Sequence, residues 1–155
     1  MKLKNISIVL LLIILNSCGF KVVDQNYFKN YRLIETNITG DNRISYLIKN
    51  QLKFGDKNSE NSIKLDIKTT NTKQISERNI QNEITKYNIL ISAKINFYVL
   101  ENGQSGEFEI SKGRNYDVSD SYSTTITREK NVIKNLVKDI SEQVIKNLQI
   151  KLNEF

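Results

Sequence analysis

The chain has 155 residues, a formal net charge of +6, no histidine, no proline and a single cysteine, Cys18. The missing histidine excludes a His-based triad, an imidazole general base and a His/Cys zinc site, and one cysteine cannot close a disulfide within the chain. The length suits one domain. Eighteen lysines among 23 basic residues suit either an anionic partner or an ordinary solvated surface.

Lys2 and Lys4 make residues 1–5 positive, and residues 6–15 form an almost purely aliphatic run without a charge. That run is too short for a hydrocarbon core about 30 Å thick, which takes about 20 helical residues. It does match the apolar region of a secretion signal. Leu15-Asn16-Ser17-Cys18-Gly19 then resembles the lipobox of bacterial lipoproteins, whose obligatory Cys sulfur takes a diacylglyceryl group. The expectation is a cleaved signal over residues 1–17 and a lipid-anchored single domain over 18–155. Several acyl chains on one residue anchor stably, whereas one chain holds only marginally. Gly19 stands where an Asp would favour retention in the inner membrane, so the outer membrane is the expected destination. The alternatives are an ordinary cleaved signal with an incidental cysteine and an uncleaved anchor.

Tyr31 to Ile38 is rich enough in β-branched and aromatic residues for a first strand. Thr39-Gly40-Asp41 makes a turn that ends on a good helix cap. Ile44, Leu47, Ile48 and Leu52 then fall on one helical face, predicting a helix over 41–54 that ends at Gly55. Ile63, Leu65 and Ile67 alternate with Lys64, Asp66 and Lys68, as in a half-buried strand. The same alternation runs from Tyr87 through Ile89, Ile91, Ala93, Ile95 and Phe97 to Val99. Its opposite face is polar except for Leu90, Tyr98 and Leu100. Glu101-Asn102-Gly103 is a turn into a last strand around Phe108 and Ile110, completing an antiparallel hairpin. Ile126, Ile133, Leu136, Val137, Ile140, Val144, Leu148 and Leu152 mark a long closing helix, capped at Ser119 or Asp120. The order β-α-β-β-β-α predicts an α+β fold: a four-stranded, mainly antiparallel sheet with two helices packed on one face.

Cys18-Gly19-Phe20, this element order, and Asn115-Tyr116-Asp117 followed by the small residues 119–125 together resemble the LptE family in its alphaproteobacterial form. These are the small outer-membrane lipoproteins of lipopolysaccharide assembly. Where the family's opening continues with proline and an aromatic, this chain has Lys21-Val22-Val23. The resemblance spans the mature chain and implies a non-enzymatic plug inside the large β-barrel translocon subunit, the LptD partner. Such a plug helps that barrel to assemble and contributes to carrying lipopolysaccharide to the outer leaflet.

A plug in a polar barrel lumen needs a polar surface, and basic side chains on it could pair with phosphates and carboxylates of lipopolysaccharide. The candidates are Lys68, Lys73, Arg78 and Lys86 around the connection between the second and third strands, with Arg114 and Arg128 near the start of the last helix. The arginines match phosphate geometry better than the lysines, and the competing role of each is an ordinary solvated charge. Tyr116 and Tyr122 read first as packing residues. No catalytic motif, metal set or phosphate loop is present, so neither an enzyme nor a cofactor is expected. Export argues against nucleic acid as a partner. Two other functions fit the same sequence: an accessory lipoprotein of another envelope machine, and a free-standing lipid carrier, which would need an enclosed apolar cavity.

Overall fold

The computed structural model describes residues 28–153. The expected signal peptide, the expected acylation site Cys18 and the Cys18-Gly19-Phe20 opening therefore lie outside the described residues. Within them the elements run β1 (Tyr31–Gly40), α1 (Asn42–Gln51), β2 (Asn61–Arg78), β3 (Ile84–Val99), β4 (Ser105–Asp117) and α2 (Tyr122–Asn153). The strands lie in the order β1-β2-β3-β4, with β1 parallel to β2 and the remaining pairs antiparallel. This is the expected α+β layout. A parallel pair cannot be joined by a tight turn, and the α1 crossover supplies the needed connection between β1 and β2.

Period-two alternation decides which face is buried. Ile63, Leu65 and Ile67 of β2 and Ile89, Ile91, Ala93, Ile95, Phe97 and Val99 of β3 are all buried on the inner face. There they meet Ile44 and Ile48 of α1 and Leu136, Ile140, Val144 and Leu148 of α2. Fully burying one such side chain contributes roughly 1.5–3 kcal/mol. Leu47, placed by sequence on the buried face of α1, sits at its margin and is 39% exposed.

A buried polar knot fixes how β1 turns into α1. Gly40 has φ +82°, and a Cβ there would collide with the Thr69 carbonyl. That close approach lets the Asp41 amide donate to the Thr69 carbonyl oxygen at 3.0 Å. The Asp41 side chain accepts from the Ile44 amide as helix cap. The Thr69 hydroxyl donates to the Asp41 carbonyl at 2.9 Å and lies 2.8 Å from the Ser45 hydroxyl.

Two helix ends differ from expectation. Helix α1 stops at Gln51, with Leu52 already extended as its C-cap, so neither residues 52–54 nor Gly55 belong to its end. Phe54 instead forms an isolated parallel bridge with Phe28, their rings stacked 5.0 Å apart. Gly55 serves close approach: its amide donates to the Phe28 and Tyr31 carbonyls, and a Cβ would strike the Lys29 carbonyl. At the other helix, neither Ser119 nor Asp120 is the cap. The Val118 amide still pairs with Thr85 of β3, which keeps the chain extended and delays the helix to Tyr122. The Thr125 amide returns to the Ser121 carbonyl, and the Ser119 amide is held by the Thr125 hydroxyl at 2.9 Å.

Strand β2 is longer than its apolar alternation indicated. Residues 70–78, polar except for Ile75, remain strand although all are exposed, because β3 pairs with them as far as Arg78↔Ile84. The distal half of the sheet is thus a three-stranded β2-β3-β4 arm, beyond the reach of β1, whose pairing ends at Gly40↔Thr69.

Candidate functional site

The sheet face opposite the helices carries a network of polar side chains. Asn37 donates to Asp66 at 2.8 Å, Asn88 to Asn115 at 2.7 Å, and the Ser92 and Ser111 hydroxyls lie 2.8 Å apart. Lys64 pairs with Glu35 at 2.7 Å and Lys94 with Glu107 at 2.8 Å. The carboxylates hold both ammonium groups above the ordinary lysine pKa through these hydrogen bonds. Asn96 lies in the middle of this face, and its side-chain oxygen is buried without a partner among the described residues. Leu90 and Tyr98, 40% and 45% exposed, are the apolar interruptions. Leu90 lies over Gly113, where an added Cβ would come within 3.4 Å of it. No helix of the described residues covers this face.

The six basic candidates do not form one cluster. Lys68 is on the polar face opposite Lys94 and Thr39, and it makes no ion pair among the described residues. Arg78 and Lys86 come together at the far end of the arm. Arg78 donates to the Asn82 carbonyl at 2.7 Å, and Lys86 pairs with Glu77 at 2.6 Å. Lys73 and Arg114 turn toward α2, and Arg128 on α2 reaches back to the end of β4. Arg114 meets Asp139 at 3.1 Å, and Arg128 donates to the Asp117 carbonyl at 3.1 Å.

Lys73 has the most elaborate surroundings. Its ammonium is 2.6 Å from Glu129 and 4.3 Å from the centroid of the Tyr87 ring. Tyr116 stacks on Tyr87 at 5.7 Å and donates its hydroxyl to the same Glu129 oxygen at 2.8 Å. Partial burial disfavours the Lys73 charge, but the hydrogen bonds it donates to Glu129 and Tyr116 outweigh that and raise the pKa. Burial likewise pushes Glu129 up, yet the Lys73 and Tyr116 hydrogen bonds bring it below the ordinary carboxylate value. Burial pushes the Tyr116 phenol up. The cluster fastens the arm to α2.

Sequence reasoning placed Arg78 and Lys86 near the end of the arm but passed over the turn between them. Residues 79–83 form a tight turn in which the Asn79 side chain accepts from the Gln81 and Glu83 amides at 3.0 and 2.9 Å. The Asn79 amide donates to the Glu83 carbonyl, and the Asn82 amide to the Asn79 carbonyl. Asn82 takes φ +62°. Ile80 stands on this turn 98% exposed, and Tyr122, at the same end of the sheet, is 79% exposed. The one available signal was a lone apolar residue within the polar run Glu77-Arg78-Asn79-Ile80-Gln81-Asn82-Glu83.

This fold, a helix-backed four-stranded sheet, is also found among solved structures of proteins described as lipoproteins. The chain superposes on rare lipoprotein B from Shewanella oneidensis with a TM-score of 0.51 and 13% identity, covering 78% of this chain and 100% of that one. It superposes on a protein from Caulobacter crescentus described as a lipoprotein with a TM-score of 0.52 and 11% identity, covering 82% and 93% of the two chains. No protein-family model matches the chain, and no curated protein matches it either.

Proposed function

We propose that this chain is a non-enzymatic outer-membrane lipoprotein of the LptE type, in its alphaproteobacterial form. It sits on the periplasmic side of the membrane, anchored through acylated Cys18. It plugs and helps assemble the β-barrel translocon of lipopolysaccharide, an LptD-like partner, and contributes to lipopolysaccharide delivery to the outer leaflet. The observation that carries this reading is the uncovered sheet face. The side chains of that face satisfy one another in polar pairs across strands, the kind of surface a domain enclosed by a polar lumen requires. The shared fold with rare lipoprotein B supports the same conclusion. A carrier would need space between sheet and helices, and that space is filled by Ile63, Ile67, Ile95, Ile140 and Leu148, each with no exposure.

Five of the six basic candidates are engaged by partners within the domain, so a lipopolysaccharide phosphate must displace those partners or share the cation with them. Lys68 needs no such exchange and is the first residue to test. Purification of the acylated protein from native membranes in mild detergent is expected to recover a large, heat-modifiable barrel protein in stoichiometric amount. Recovery of the lipoprotein alone rules the reading out, and recovery with a different envelope complex replaces it.

A further inference from the structure

We propose that the opening stretch of α2, residues 122–131, is a strap that closes over the arm and leaves it as a unit, with Glu129 as its latch. The core stripe of α2 begins only at Val132. Within 122–131 Thr125 alone is buried, and its hydroxyl bonds the Ser119 amide and carbonyl just ahead of the helix. Ile126 is only partly buried and is not packed against the core. Apolar burial, the main force that holds a helix on a sheet, is therefore slight in this stretch. Beyond it Val132, Leu136, Ile140, Val144 and Leu148 are all buried.

What ties the stretch down is polar, and it converges on one carboxylate. Glu129 accepts from Lys73 of β2 at 2.6 Å and from Tyr116 of β4 at 2.8 Å. The Lys73 ammonium also lies 4.3 Å from the centroid of the Tyr87 ring on β3, so all three strands of the arm meet at this point. Arg128 adds one bond, to the Asp117 carbonyl oxygen at 3.1 Å. The Arg114–Asp139 pair lies past Val132 and belongs to the fixed part of the helix. An ion pair as open to water as Lys73–Glu129 holds weakly, and water replaces each of these bonds when the strap lifts.

Release of Glu129 leaves a helix end with little tertiary support. Helices shorter than about 12–15 residues are marginal in water on their own, so the strap melts back to Val132, where the buried stripe holds. The strands need not part, because Lys73↔Ile89 and Tyr87↔Tyr116 are paired by the sheet itself. Opening uncovers Tyr116, 6% exposed beneath the closed strap, together with Tyr87, stacked on it at 5.7 Å. The arm thus alternates between a closed polar surface and an exposed aromatic pair with a lysine beside it. Segments that move in this way come from the least stable part of a fold. The strap depends on neither the barrel nor lipopolysaccharide, so it stands or falls apart from the function proposed above.

The test is hydrogen exchange, read by mass spectrometry on the full acylated protein in mild detergent. Residues 122–131 are expected to exchange at least about tenfold faster than 136–148, at a rate that low denaturant leaves unchanged, as local opening requires. Glu129→Gln should speed 122–131 by about fivefold. Ile140→Val, which thins the core at a position with no exposure, should speed 136–148 by about fivefold and leave 122–131 as they were. Should Glu129→Gln not fold, Tyr116→Phe, which removes one of the two bonds and keeps the ring, carries the same expectation for 122–131. If Ile140→Val speeds both stretches alike, or both exchange only through global unfolding, α2 is one unit and the inference is overturned. Fast exchange of 122–131 that is indifferent to Glu129→Gln and Tyr116→Phe is ordinary fraying of a helix end and overturns it too.

Discussion

Glu129 concentrates several effects in one carboxylate. It accepts from both Lys73 and Tyr116, and these bonds lower its pKa in the folded protein despite partial burial. A lowered carboxylate stabilises the fold at pH values above its unfolded pKa, and that contribution disappears as pH falls through the folded value. Unfolding followed against pH should therefore show stability declining below an ordinary carboxylate value of 4.5. Glu129→Gln should flatten that part of the profile and cost about 1 kcal/mol at neutral pH, a figure kept small because Lys73 is 40% exposed. An unchanged profile would show that other carboxylates govern acid unfolding. Gly40 makes a sharper demand. Its φ of +82° and its contact with the Thr69 carbonyl leave no room for a methyl group, so Gly40→Ala should lower stability by about 2 kcal/mol or more in chemical denaturation.

Strand β2 shows how an element can be continuous in pairing and discontinuous in burial. Ile63, Leu65, Ile67 and Thr69 are buried, whereas residues 70–78 are all exposed. The proximal half opens only when the core opens, while the arm is tied down chiefly by β3 and by the Lys73–Glu129–Tyr116 contacts. Native-state hydrogen exchange should follow this division. Amides of β2 near Leu65 and Ile67 are expected to exchange close to the global unfolding limit, and those of residues 74–78 at least about tenfold faster. Uniform protection along β2 would contradict a separately opening arm. The alternation of Ile63, Leu65 and Ile67 marked the proximal half of β2 in the sequence, but nothing marked the arm. Asn71-Thr72-Lys73-Gln74 has no apolar period, and its strand state is imposed by pairing with Ile91 to Asn88 of β3.

At the scale of the whole molecule, one face is finished and the other is bare. Helices α1 and α2 bury the inner face, while the outer face satisfies much of its own polarity without being covered. Membrane attachment and partner binding are separable in the proposed function. Cys18→Ala should abolish the lipid anchor, and fractionation should then show the domain still partly membrane-associated through its barrel partner. Complete release into the soluble fraction would leave the acyl chains as the only tether and count against the plug.

The amino-acid sequence by itself determined the α+β order, the inner-face residues of β3, the α2 core stripe and the turn at Gly103, because each is encoded by a local period or a local backbone requirement. Tertiary structure decided the rest. Helix α1 ends early because Phe54 is drawn to Phe28, and α2 starts late because Val118 is still paired to Thr85. The dispersal of the six basic residues, and the placing of Ile80 and Tyr122 toward the same end of the sheet, follow from strand register. Residues about forty positions apart carry no sequence signal that they share a surface; the hydrogen-bonded ladders of β2, β3 and β4 bring them together.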